Sequence, residues 1–195
     1  MRAKFTKRIL AFLIDIIIVS LISSVITYFI PVKNLEKYSE QLTETVESFE
    51  KEEINQKEYV EKVEKINYQI SKETVITNLV SVAIYIIYFV VIPVYNKKQS
   101  FGKRIMRIKL ENIEGKDVNA NDLLFRSFII YGILYNLITI VLILLLKQQT
   151  FIIINRYLSY IYDIMLVVIL LLVIIRKDGR GLHDFVGKTI VVEEE

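Results

Sequence analysis

The feature that most constrains this chain is an unbroken apolar run from Ile9 to Ile30 that carries a single acid, Asp15, and has an arginine, Arg8, at its edge. As a helix, 22 residues at about 1.5 Å each reach roughly 33 Å, enough to cross a hydrocarbon core of about 30 Å. Asp15 follows Arg8 by seven positions, so the two side chains point to nearly the same helix face, two turns apart. A carboxylate within lipid costs on the order of 2.5–3.5 kcal/mol on insertion scales, so Asp15 is expected to face protein or water. Two roles are open to it: a polar anchor for a neighbouring helix, or a residue lining an ion or proton pathway.

Further apolar runs follow, separated by charged connections. Although 53% of the 195 residues are hydrophobic, 24% are charged. That clustering fits a multi-span membrane protein rather than one globular core. The expected class is an all-α membrane protein with four transmembrane helices. Residues 1–31 hold a basic N-terminus (Arg2, Lys4, Lys7, Arg8) and the first span, which is too long for the apolar region of a cleaved signal. The other spans fall at 74–95, 123–146 and 157–175. There are no cysteines, which excludes disulfides and thiol chemistry. The net charge of +3 is too small and too segregated to indicate nucleic acid.

Between the first two spans, residues 32–73 read as a helical hairpin. Leu35, Tyr38, Leu42, Val46 and Phe49 make one stripe; Tyr59, Val63, Ile66 and Ile70 make another. Asn55 is placed to cap the second arm, with Glu58 at the third helical position and Ile54 stapling to Tyr59. Eleven acids against seven lysines in this segment suit the outside of the membrane. Its stripes can bury each other, a partner protein or a ligand.

The loop 96–122 is basic (Lys97, Lys98, Lys103, Arg104, Arg107, Lys109, Lys116) and so belongs inside, as does the tail 176–195; both termini are then cytoplasmic. Ile105 to Leu110 alternates in strand fashion within a β-hairpin loop, Glu114-Gly115-Lys116-Asp117 supplies a turn, and Asn121 or Asp122 can cap the next helix. Thr189 to Val192 also has strand character and is expected to pair with Ile105–Leu110 as a small cytoplasmic sheet. Tyr85, Tyr88 and Tyr95 include interface anchors, and Pro93 marks a helix end. Arg126 can snorkel to headgroups or pair with an intramembrane acid. Residues 147–156 form an outer connection whose piece Phe151–Ile154 suits the interface. Asp163 is a second candidate buried acid.

Arg8 and Asp15, Ser100-Phe101-Gly102-Lys103-Arg104, Arg126, Leu182-His183-Asp184 and Thr189-Ile190-Val191-Val192 together resemble the RDD family of bacterial-type membrane proteins. The resemblance implies a multi-pass cell-membrane protein and maps the family's arginine to Arg8 and its aspartates to Asp15 and Asp184. Gly187-Lys188 carries a lysine where the family pattern has glycine, and the long insert 32–73 is atypical. The implied activity is transport, with cation/proton exchange proposed for some members.

Two functional classes follow. In an ion transporter, Asp15 binds a cation or a proton, Asp163 assists, and Arg126 or Arg8 tunes proton affinity; four short spans then call for a homo-oligomer. In a membrane adaptor, the external hairpin and the cytoplasmic sheet are the working surfaces and Arg8 and Asp15 hold the bundle together; Gly102, Lys103, His183 and Thr189 form a cytoplasmic motif. Catalysis is not expected. His183-Asp184 is the one histidine–acid pair, and adjacent residues on a helix diverge by about 100°. Zinc-peptidase, serine-hydrolase and phosphate-loop motifs are missing. No cofactor is indicated, and a metal site only if Asp15 takes a cation.

Overall fold

The computed structural model describes residues 1–194 and is mostly helical. Helix α1 (Phe5–Tyr28) is the first span. Its buried positions, Ala11, Asp15, Val19 and Ser23, recur every four residues. This narrow stripe of small and polar side chains lets other segments approach closely.

Helices α2 (Leu35–Glu50) and α3 (Gln56–Glu73) pack along each other, with Phe49 stacked on Tyr59 across the turn. The Asn55 side chain accepts from the Glu58 N–H and so starts α3 at the expected cap.

The second span, α4 (Val75–Tyr95), continues past Pro93. The proline does not end it, because the preceding turn widens into a π segment, Ile87–Val91. Proline has no N–H to give to the carbonyl four residues back, at Phe89. That oxygen instead accepts from Ser127 Oγ at 3.5 Å. The widened turn buries three consecutive residues, Tyr88, Phe89 and Val90. Tyr88 is therefore an interior residue rather than an interface anchor.

A short helix α5 (Phe101–Ile105) lies against α1. Ile105 closes this helix, so the strand β1 starts later than the alternation suggested, at Ile108, and ends at Asn112. Its partner is β2 (Thr189–Glu193) in the tail, antiparallel, with Leu110 opposite Val191; the inner loop contributes one strand and not a hairpin. Arg2 bridges to Val192 on the other side of β2. Ile108, Leu110 and Val191 pack under Ala11, Val90 and Leu123, which ties the sheet to the helices.

The run 123–146 is not one straight helix. It is split into α6 (Ala120–Ile130) and α7 (Ile133–Leu145), bent by 69°. Gly132 sits at φ +67 in the break, a conformation that side chains disfavour, and a Cβ there would lie 2.7 Å from the Tyr162 hydroxyl. The cap of α6 is Asn119, two residues earlier than expected, in a reciprocal box with Asp122.

Helix α8 (Gln148–Ile175) absorbs the expected outer connection. Its 28 residues reach about 42 Å, more than one bilayer crossing needs. The surplus turns meet α3: Phe151 is buried edge-on against Tyr68, and Arg156 forms a two-pronged pair with Glu64. A short α9 (Leu182–Val186) packs on α6. Among the described residues, three helices are long and apolar enough to cross a membrane, or four if the bent pair counts as one span.

Candidate functional site

Two fully buried carboxylates organise the interior. Asp15, on α1, accepts from the Tyr88 hydroxyl at 2.8 Å, the Gly102 backbone N–H at 2.7 Å and the Ser100 hydroxyl. One donor comes from the π segment of α4 and two from the start of α5. Three donors compensate a charge that lipid would not. Gly102 is required for this approach, since a Cβ there would stand 2.2 Å from the Ala11 carbonyl oxygen and 2.9 Å from the Asp15 carboxylate.

The second carboxylate, Asp184, lies in the first turn of α9. It accepts from Arg8 Nη2 at 2.7 Å, from Arg126 Nη1 and from the Gly181 backbone N–H at 2.9 Å. Arg8 also donates to the Gly179 carbonyl, and Arg126 donates to Thr189 Oγ1 at 3.0 Å. Arginines from α1 and α6 thus hold one acid from the tail. Arg8 and Asp15 share a helix face yet serve different partners, and the acid that Arg126 meets is Asp184.

Around this cluster, Gly187 presses on α6: a Cβ there would lie 2.8 Å from the Asp122 carbonyl oxygen and 2.9 Å from Arg126 Cβ. The close approach falls on the glycine of Gly187-Lys188, and Lys188 takes the left-handed conformation at φ +48. His183 is buried, its Nε2 3.4 Å from Asp184 Oδ2. Burial, then the charges of Arg126, Arg8 and Lys103, hold its pKa well below the usual histidine range, so it is neutral at pH 7. Lys103 is buried as well, and desolvation lowers its pKa to about 8, with Arg126 adding to the shift and Asp15 opposing it.

Asp163 stands apart. It is exposed on α8 and is not a second buried acid. Sequence reasoning missed Tyr88, Ser100 and the Gly102 N–H as partners of Asp15. Their common signal is weak: a tyrosine one turn before a proline in a span, and a Ser-x-Gly just beyond it.

One cavity adjoins these groups and a second shares Tyr131 with it. The first, of about 290 Å³, has Arg8, Asp15, Lys103, Arg126 and His183 at one end and apolar residues of α1 and α8 along its sides. The second, of about 310 Å³, is polar and lined by Ser20, Ser23, Asn78, Ser81 and Asn136 among others. Tyr131 lines both. It sits at the α6–α7 break, stacked between Phe89 at 3.4 Å and Phe12 at 5.9 Å. Among the described residues, no group of three or more histidine or acidic side chains is placed to hold a metal ion.

No curated protein and no solved structure matches the chain. A family model described as the RDD family matches residues 2–188, almost the whole length, and proteins of that family are membrane proteins. With its apolar helices and with Arg8, Asp15 and Asp184 inside the matched region, the chain belongs to the RDD family of membrane proteins.

Proposed function

We propose that the protein is a membrane transporter for a small ion, whose pathway runs from the charged cavity past Tyr131 into the polar one. The supporting observation is that one aromatic side chain, placed on the break of a bent apolar helix pair, lines both cavities. Transporters repeatedly place binding sites at such discontinuous helices, where irregular backbone lines a cavity. In this conformation Phe12 and Phe89 hold Tyr131 between them and the pathway is closed.

In the exchange form of this reading, Asp15 is the carboxylate that carries a proton or a cation in turn. The Tyr88 and Ser100 hydroxyls donate to it now and can present their oxygens to a cation instead. The basic segments set the cytoplasmic side: both termini and residues 96–122 lie inside, α2 and α3 outside. Association of copies supplies the wall that so few helices leave incomplete.

The test is proton flux in sealed vesicles under an imposed sodium gradient. Flux in the native chain, lost in Asp15→Asn while the protein stays folded, supports exchange. A native chain that moves no protons under any cation gradient overturns it.

An adaptor is the second reading, favoured by Leu35, Phe49 and Val60, which stay exposed on the α2–α3 pair. A partner retained by the full chain and lost when residues 32–73 are removed supports that role.

A further inference from the structure

The first cavity has two unlike parts, one charged and one apolar. Its sides come from α1 (Phe5, Ile9, Phe12) and α8 (Leu166, Leu170, Val173), and these two helices make no extended contact with each other. The gap between them is lined by side chains that would otherwise face acyl chains. Its far end is charged: Lys103 and Arg126 line it beside Asp15, with Arg8 and Asp184 paired close by. Three cations against two carboxylates leave a positive excess.

Arg126 is 4% exposed and His183 2%, so the charged end is formed by side chains held firmly within the fold. A ligand that complements both parts of the cavity carries negative charge and continues into an apolar portion.

We propose that this cavity binds an anionic phospholipid, its phosphate at Lys103 and Arg126 and one acyl chain between α1 and α8. The depth agrees. Arg8 is in the first turn of α1 and Val173 in the last turn of α8, so the charged end lies where a leaflet's headgroups meet its chains. The cavity, of about 290 Å³, runs from this charged end along the apolar side chains of α1 and α8. A chain seated there closes the flank through which the cavity is otherwise open to the bilayer. The inference concerns binding and does not depend on transport.

The experiment uses the full chain in a neutral detergent and follows thermal unfolding and retained lipid by native mass spectrometry. The probes are phosphatidylglycerol, phosphatidylcholine and glycerophosphate, the last being a head without chains. Phosphatidylglycerol is expected to raise the unfolding midpoint by several degrees and to survive as a bound adduct, with phosphatidylcholine far weaker. Lys103→Met removes a charge that, among the described residues, has no salt-bridge partner, and Leu170→Trp fills the gap from a half-exposed position. Each is expected to weaken the lipid by about tenfold while far-ultraviolet circular dichroism stays native. Equal effects of both lipids, or a preference that survives both variants, overturns the proposal. An equal shift from glycerophosphate alone overturns the lipid and assigns the site to a soluble anion. A disulfide-linked dimer of Leu170→Cys, clean because the chain has no native cysteine, overturns it in favour of a second copy in the gap.

Discussion

Gly102 and Ala11 meet so closely that no other residue fits at position 102: an added Cβ would stand 2.2 Å from the Ala11 carbonyl oxygen. The contact brings the Gly102 N–H to Asp15, and the same short segment supplies the Ser100 hydroxyl. Gly102→Ala must push α5 off α1 and strip two of the three donors from a buried carboxylate. A loss of about 2–3 kcal/mol or more is expected, from overpacking together with an undercompensated charge. Gly115 provides the control, since its φ is +73 and nothing lies within 4 Å of a Cβ there. Gly115→Ala should cost about 1–2 kcal/mol, the penalty for a left-handed alanine. Denaturation of both variants in detergent, side by side, measures the difference.

Asp184 compensates two arginines at once, so its removal leaves buried Arg126 without its paired carboxylate and part-buried Arg8 with only the unpaired influence of Asp178. Asp184→Asn is expected to destabilise by about 3–5 kcal/mol, the range for breaking a buried ion pair from one side. Asp178 also pairs two arginines, Arg176 and Arg180, but it is only part-buried and Arg176 is exposed to solvent. Asp178→Asn should cost only a small fraction of that. If the two variants unfold alike, the Asp184 cluster is not what joins the tail to α1 and α6.

What the sequence made legible follows the range of each signal. Apolar runs mark α1, α4 and α8, because crossing a membrane demands length and composition that a single stretch displays. Strand character in β1 and β2 is likewise local, although the start of β1 depends on where α5 ends. The bend at Gly132 is not legible, since apolar residues continue on both sides and one glycine in a span has many meanings. Partner choice is the least local property. The donors to Asp15 stand 73 to 87 positions away, and the acid that joins Arg8 to Arg126 comes from the tail. Asp163 shows the converse: an acid next to apolar residues reads as buried until the packing of α8 leaves it exposed.

Two buried bases give stability a pH dependence on either side of neutrality. His183 takes up a proton near 6.5 in the unfolded chain but well below that when folded, where Arg126, Arg8 and Lys103 oppose it. Between those values the unfolded state binds more protons, so stability falls as pH drops below about 6.5. Lys103 has its pKa lowered from 10.5 to about 8. The cost of burying its charge is fully present below about pH 8 and is relieved as pH rises towards 10.5, so stability climbs over that window. His183→Gln should flatten the acid limb above pH 5, and Lys103→Met the alkaline one. Unfolding midpoints from pH 5 to pH 10 check both.

Tyr131 lines both cavities, so on the transport reading its size decides whether they join. Tyr131→Ala removes the ring that Phe89 and Phe12 hold and opens a passage between the charged end near Asp15 and the serines and asparagines beyond. Removing a buried aromatic costs about 3–5 kcal/mol. Tyr131→Phe keeps the ring and is the folded comparison. In sealed vesicles, Tyr131→Ala is expected to leak protons and small ions without a driving gradient of a coupled ion, whereas Tyr131→Phe stays tight. A Tyr131→Ala protein that remains folded and as tight as Tyr131→Phe would show that the cavities are not two halves of one pathway, and Tyr131 would then be a packing residue at the bend.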